Sequence, residues 1–142
     1  MNRFFATPPN APSVHVGLLL LRIGVSCLML THGLPKLQKV LSGNFAFGDP
    51  LGLGSGVSLT LAALAEVGGS LLILVGAATR LAVLPLIVTM LVAAFVAHAD
   101  DPFGKKELPL LYLFSYSLLL LAGAGKYSVD GLLSQRRAAT AK

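Results

Sequence analysis

Two opposite charges stand where water is scarce. Arg22 interrupts the run "LLLRIG", and Glu66 interrupts "LAALAEVGGSLLILVGAATR", each among leucines, alanines and glycines. A charge at the centre of a membrane helix costs roughly 2.5 to 3.5 kcal/mol even on a lenient insertion scale, so each needs a partner. Groups retained at that cost suit hydrogen bonding to a ligand or the handling of a proton. Tyr112 and Tyr116, one helical turn apart, add two phenols, and His98 precedes Asp100 and Asp101, where an imidazole can relay a proton or cap a helix end. Arg22, Glu66, His98, Tyr112 and Tyr116 are therefore the buried polar or ligand-binding candidates. His32, Lys36 and Glu107 are candidates for an outer face. Catalytic residues are not identifiable, and no metal-binding spacing occurs. Cys27 is the only cysteine, so no Cys-x-x-Cys pair exists to run an intramolecular dithiol cycle.

The elements that carry these residues are set by composition. With 55% hydrophobic and 12% charged residues and a mean hydropathy of +0.80, the chain is too apolar for an ordinary soluble domain, and the bilayer is its expected solvent. Its 142 residues leave room for about four spans of roughly 20 residues each. Apolar runs place them at about Val14–Leu34, Val57–Ala77, Leu81–His98 and Leu108–Ala124. The expected fold is all-α, an integral membrane antiparallel four-helix bundle. Residues 1–13 read as a short N-terminal tail, 14–132 as the transmembrane domain and 133–142 as a short, basic, solvated tail. The first span is read as retained and not as a secretory signal, because Arg22 breaks the apolar run and no small-x-small cleavage site follows. The long connection after it is rich in glycine but carries Phe45, Phe47, Leu51 and Leu53, so it is expected to fold over the mouth of the bundle as a lid.

Basic residues assign the orientation. An even number of spans puts Arg3, Arg80, Lys126, Arg136, Arg137 and Lys142 on one side. Lys36, Lys39, Lys105 and Lys106 fall on the other, offset by acids. The positive-inside rule then favours cytoplasmic termini in a multi-pass protein of the bacterial plasma (inner) membrane. The net charge of +5 is explained by this topology and by anionic lipid headgroups, with no nucleic-acid motif to compete.

Counted from opposite ends of their spans, Arg22 and Glu66 both lie roughly 13 Å deep, which predicts an Arg22–Glu66 ion pair near the midplane. Ala62, Glu66, Gly69, Ser70 and Ile73 share one helical face; Arg22, Ser26, Met29 and Gly33 share another, as do Tyr112, Ser115, Tyr116 and Leu119. Each site has a structural alternative: a register-setting ion pair for Arg22 and Glu66, interfacial capping for His98, helix-end snorkelling for Lys36, and a small core residue for Cys27.

The ordered series "LLLRIG", "HGLPKL", "AEVGGSLLILVGAATRLA", "AHADDPF", "ELPLLYL" and "GAGKYSVDG", spread from about Leu18 to Leu132, resembles the DoxX family of small four-helix membrane proteins. The resemblance carries the family's polar set onto Arg22, Gly33, Lys36, Glu66, Thr79, Arg80, His98, Glu107 and Asp130. It implies association with membrane oxidoreductase systems, quinone- or thiol-linked, in which this chain is a small subunit or accessory component. On that reading Arg22, Glu66, His98, Tyr112 and Tyr116 surround a cavity open to a quinone or similar apolar ligand. The electron chemistry belongs to that ligand, because no haem, flavin or iron–sulfur ligation is recognisable. Whether the chain is itself an enzyme stays open. A noncatalytic scaffold or chaperone-like protein that binds a partner's membrane helices is the alternative, and a small-solute transporter fits least, since no span is broken. The partners implied are the lipid bilayer and either a membrane oxidoreductase or a second copy of the chain.

Overall fold

The structure, a computed structural model, describes residues 12–140. The expected N-terminal tail, with Arg3, lies outside these up to residue 11, as does Lys142. The described residues are helical without strands: α1 (Pro12–Leu41), α2 (Ser55–Val75), α3 (Thr79–Val92), continued by a π-helical segment (Ala93–Ala97), α4 (Phe103–Ala122) and α5 (Val129–Thr140). Three stretches are long and apolar enough to cross a membrane: Pro12–Leu41, Ser55–Val75 and Thr79–Ala97. Helix α4, which carries the fourth expected span, has the charged Lys105, Lys106 and Glu107 near its start, so its apolar part runs only from Leu108 to Ala122, about 22 Å of helix.

Helix α1 packs on α2, α2 on α3, α3 on α4, and α4 returns to α1. The shared core draws Val25 and Met29 from α1, Ile73 from α2, Val83, Leu86 and Met90 from α3, and Tyr112, Tyr116 and Leu119 from α4. Leu20, Leu28, Leu64, Leu81, Leu111 and Leu121 point outward instead. That arrangement would be costly in water and is the favoured one in lipid. Small residues set the contact distance. A Cβ built on Gly33 would lie 2.9 Å from Val67 Cγ2 and 3.0 Å from Glu66 Cβ, and one on Gly69 would lie 2.7 Å from Leu86 Cδ1. The faces expected to point inward do so through Arg22, Ser26, Met29 and Gly33, and through Glu66, Gly69, Ser70 and Ile73.

Two boundaries differ from expectation. Helix α1 continues past Leu34 and through Pro35 to Leu41. Proline removes one N–H but does not end a helix whose neighbours hold it, and α2 packs along this stretch. Residues 129–140, expected to belong mainly to a solvated tail, form α5.

Helix α2 ends at Gly76 in the left-handed conformation (φ 69°), with the N–H of Gly76 donating to Ile73 O and that of Ala77 to Leu72 O. Ala78 is also left-handed (φ 47°), which a Cβ disfavours. Asp130 Oδ1 accepts the Ala78 N–H at 2.8 Å and Oδ2 the Thr79 N–H at 2.9 Å, so Asp130, in the first turn of α5, caps the start of α3. Burial opposes ionisation of Asp130, but these backbone N–H groups outweigh it and hold the carboxyl below the usual range.

Candidate functional site

Glu66 is buried on α2, and its partner is Lys36 of α1, whose ammonium donates to Oε1. The expected Arg22–Glu66 pair does not form. Because α1 runs on to Leu41, the antiparallel register sets Gly33 against Glu66 and Val67, and Arg22 against Ile73, about 10 Å further along α2. Lys36, expected to snorkel from a helix end, lies inside the helix and turns toward the carboxylate.

Arg22 instead spends its fork on main-chain carbonyls. Nε donates to Ile73 O (3.0 Å), Nη2 to Leu74 O (3.1 Å), and Nη1 to both Ala124 O (2.7 Å) and Tyr127 O (2.9 Å). The carbonyls of the last turn of a helix lack intrahelical donors and carry the negative end of its dipole. The guanidinium therefore closes α2 and pins the turn between α4 and α5.

The Lys36–Glu66 pair forms the polar wall of a cavity of about 370 Å³. The rest of the lining is mostly apolar: Leu61, Ala62 and Ala65 from α2, and Pro85, Val88, Val92, Ala93 and Ala97 from α3 and its π-helical continuation. Phe47, Pro50, Leu51 and Leu53 of the α1–α2 connection complete it, so that segment folds over the site, while Leu51 and Leu53 stay half exposed and Phe45 lies outside the lining. Asp49 holds the segment in shape. Its carboxylate accepts from the N–H groups of Gly54 and Leu53 and from the Ser58 hydroxyl, each at 2.9 Å. The Gly54 N–H, with these others, keeps Asp49 below the usual carboxylate range. Leu61 and Val88 are more than half exposed, so the cavity meets the apolar outer surface between α2 and α3. The π-helical turn, a form often found at functional sites, presents Ala93 and Ala97 where larger side chains would fill the space.

Among the described residues, Glu66 Oε2 has no protein partner, and Ser26 Oγ, Ser70 Oγ, Thr79 Oγ1 and Tyr116 OH are buried in the same condition. Buried groups of this kind normally find a hydrogen bond, so Glu66 retains an acceptor beside the cavity.

The other candidates are distributed differently from expectation. Tyr112 and Tyr116 are buried and stack (centroids 6.0 Å, planes 18° apart), with His32 edge-on to Tyr112 at 6.1 Å; none lines the cavity. His98 is not buried. It lies beyond the π-helical turn, its Nδ1 2.7 Å from Asp101 Oδ2, and the hydrogen bond to His98 holds Asp101 below the usual carboxylate range. Arg22, His98, Tyr112 and Tyr116 thus leave the cavity set, and Lys36 joins Glu66 in it. Glu107 is exposed, just past the first turn of α4. Cys27 faces outward instead of filling the core. Among the described residues, no group of three or more His, Cys, Asp or Glu is placed to hold a metal ion. Sequence reasoning missed the Lys36–Glu66 pairing, the role of Asp49 and the π-helical turn. Only the first left a signal, a lysine one turn beyond a histidine inside a span that does not stop at its proline.

The model of the DoxX family matches residues 17–99, which include every residue lining the cavity. Among proteins of known sequence, the chain is 31% identical over 119 residues to "Putative oxidoreductase CatD" of Bacillus subtilis, covering 83% of this chain and 87% of that one. It is 33% identical over 125 residues to "Inner membrane protein YqjF" of Escherichia coli, covering 85% and 95%. It is also 33% identical over 124 residues to an uncharacterised protein of Haemophilus influenzae, covering 80% and 87%. No solved structure gives a significant match.

Proposed function

Because this chain belongs to the DoxX family of membrane proteins, we propose that it is a small subunit or accessory component of a membrane redox system, and that the Lys36–Glu66 cavity receives its quinone-class ligand. The observation that carries this reading is the cavity itself: apolar walls with one ion pair, reached from the apolar surface between α2 and α3. A quinone has the complementary design, an apolar ring whose polar oxygens need one donor and one acceptor. Lys36 would donate to a carbonyl oxygen, and Glu66 Oε2 would accept from the hydroxyl of the reduced form. The bound ring would supply the electron chemistry, and this chain's residues bind, orient and exchange protons with it. The name of the Bacillus relative supports the redox association, and that of the Escherichia relative supports the inner membrane.

The same reading makes α1 to α4 an antiparallel four-span bundle with cytoplasmic termini. In support, the α1–α2–α3–α4 packing closes on itself, and basic residues gather at the end that carries Arg80, Lys126, Arg136 and Arg137. A short-chain quinone titrated into detergent-purified protein and followed by difference absorbance tests the function. Saturable one-to-one binding that Ala93→Trp abolishes without unfolding is the expected outcome. Absence of saturable binding by folded protein would overturn it.

A further inference from the structure

Helix α5 is outside the packing that joins α1 to α4, and its first turn anchors it. The Asp130 N–H donates to Gly76 O (2.9 Å), its carboxylate caps α3, and Arg22 grips the preceding turn at Ala124 and Tyr127. Beyond that turn, Val129, Leu132 and Leu133 fall at i, i+3 and i+4 on one face of α5. All are exposed, Leu132 by 59%. Arg136 continues this face one turn further, and Arg137 flanks it. Arg80, at the start of α3, and Lys126, in the turn before α5, add two exposed cations at the same end of the molecule. The acid nearest them in the chain, Asp130, has both oxygens committed to backbone N–H groups, so it leaves this positive field largely uncompensated.

We propose that α5, with Arg80 and Lys126, is a binding surface for anionic phospholipid headgroups. The occupant follows from two features together. The apolar face of α5 begins within a short turn of the end of α4, where the chain leaves the apolar layer, so Leu132 and Leu133 can sink to the boundary between headgroups and acyl chains. At that depth the stems of Arg136 and Arg137 lie along the apolar layer while their guanidinium groups reach the phosphates. A soluble acidic protein would match the charge but leave the leucine face in water. A zwitterionic lipid surface would take the leucines but not use the four cations.

Native mass spectrometry of the full chain in nonionic detergent tests this, with phosphatidylglycerol or phosphatidylcholine of the same acyl chains as the added lipid. Each basic residue near an anionic surface strengthens binding about fivefold. Arg136→Gln with Arg137→Gln should therefore weaken phosphatidylglycerol retention about 30-fold and leave phosphatidylcholine retention unchanged. An excess of inorganic phosphate should not displace the lipid. Equal retention of the two lipids by the wild type, loss of less than about twofold in the double variant, or displacement by inorganic phosphate would each overturn the proposal. Thermal unfolding in lipid-free detergent accompanies the titration. Both arginines are exposed, so the variant should unfold with the wild type, and marked destabilisation would assign them to the fold and refute the lipid role.

Discussion

Removing either partner of the Lys36–Glu66 pair should destabilise the protein, and by unequal amounts. The Lys36 side chain is 25% exposed and that of Glu66 only 2%. Stranding one member of a fully buried pair costs about 3–5 kcal/mol. Lys36→Met leaves a carboxylate with almost no exposure whose second oxygen already lacks a protein partner, so its cost should fall in that range, about 3 kcal/mol. Glu66→Gln leaves an ammonium on a flexible stem that can turn toward solvent near the end of α1, and about 2 kcal/mol is expected. The double variant removes the charge mismatch, which gives a coupling energy of about 2 kcal/mol between the two sites. Denaturant unfolding of detergent-solubilised protein, followed by circular dichroism, measures all four corners of the cycle. Additivity within about 0.5 kcal/mol would refute the pairing. A cost for Glu66→Gln well above that for Lys36→Met would favour the Arg22–Glu66 arrangement, which strands an arginine unable to neutralise itself.

Four further outcomes follow. A double-mutant cycle between Arg22 and Glu66 should be additive within about 0.5 kcal/mol, since the two have separate partners about 10 Å apart along α2. Arg22→Lys should fail to restore the stability lost in Arg22→Gln, because an ammonium lacks the planar fork that reaches four carbonyls on two segments; unfolding midpoints of both variants decide this. Gly33→Ala should cost about 1–3 kcal/mol by forcing Val67 and the α2 backbone away, whereas Gly24→Ala, which meets nothing within 4 Å, should be neutral or stabilising in the same assay. Asp130→Asn should cost about 1.5 kcal/mol at neutral pH by losing a charge-assisted bond to the start of α3. Since folding lowers the Asp130 pKa, its contribution is complete above the unfolded value of about 3.9 and is lost as pH falls through the folded value. The gap between wild type and variant in a pH series of melting temperatures should therefore close below about pH 4.

Most of the fold was legible because the bilayer permits few solutions. Hydropathy located α1 to α4 but not α5, and the 3.6-residue period gave the inward faces of Arg22, Ser26, Met29 and Gly33 and of Glu66, Gly69, Ser70 and Ile73. What a single sequence did not reveal was register. Ending the first span at Leu34 shortened α1, and that error in length became an error in partner: two charges at matched counted depth were paired, although the continuing helix carries Lys36 to Glu66 and sets Arg22 against the end of α2. Arg22 satisfying main-chain carbonyls had no sequence signal, since every helix end offers such acceptors. The cavity depends on the π-helical turn and on Asp49 folding the connection inward, both of which are settled only once α2 and α3 are packed.

The space between Lys36, Glu66, α2 and α3 is proposed to receive a quinone-class molecule from the apolar phase. Photolabelling with an azido-quinone in proteoliposomes, followed by peptide mapping, tests it most directly. Adducts should concentrate in Leu61–Glu66 and Val88–Ala97, be competed away by unlabelled quinone and be absent in folded Ala93→Trp protein. Labelling spread evenly over the outward-facing leucines, or undiminished by the competitor, would contradict it.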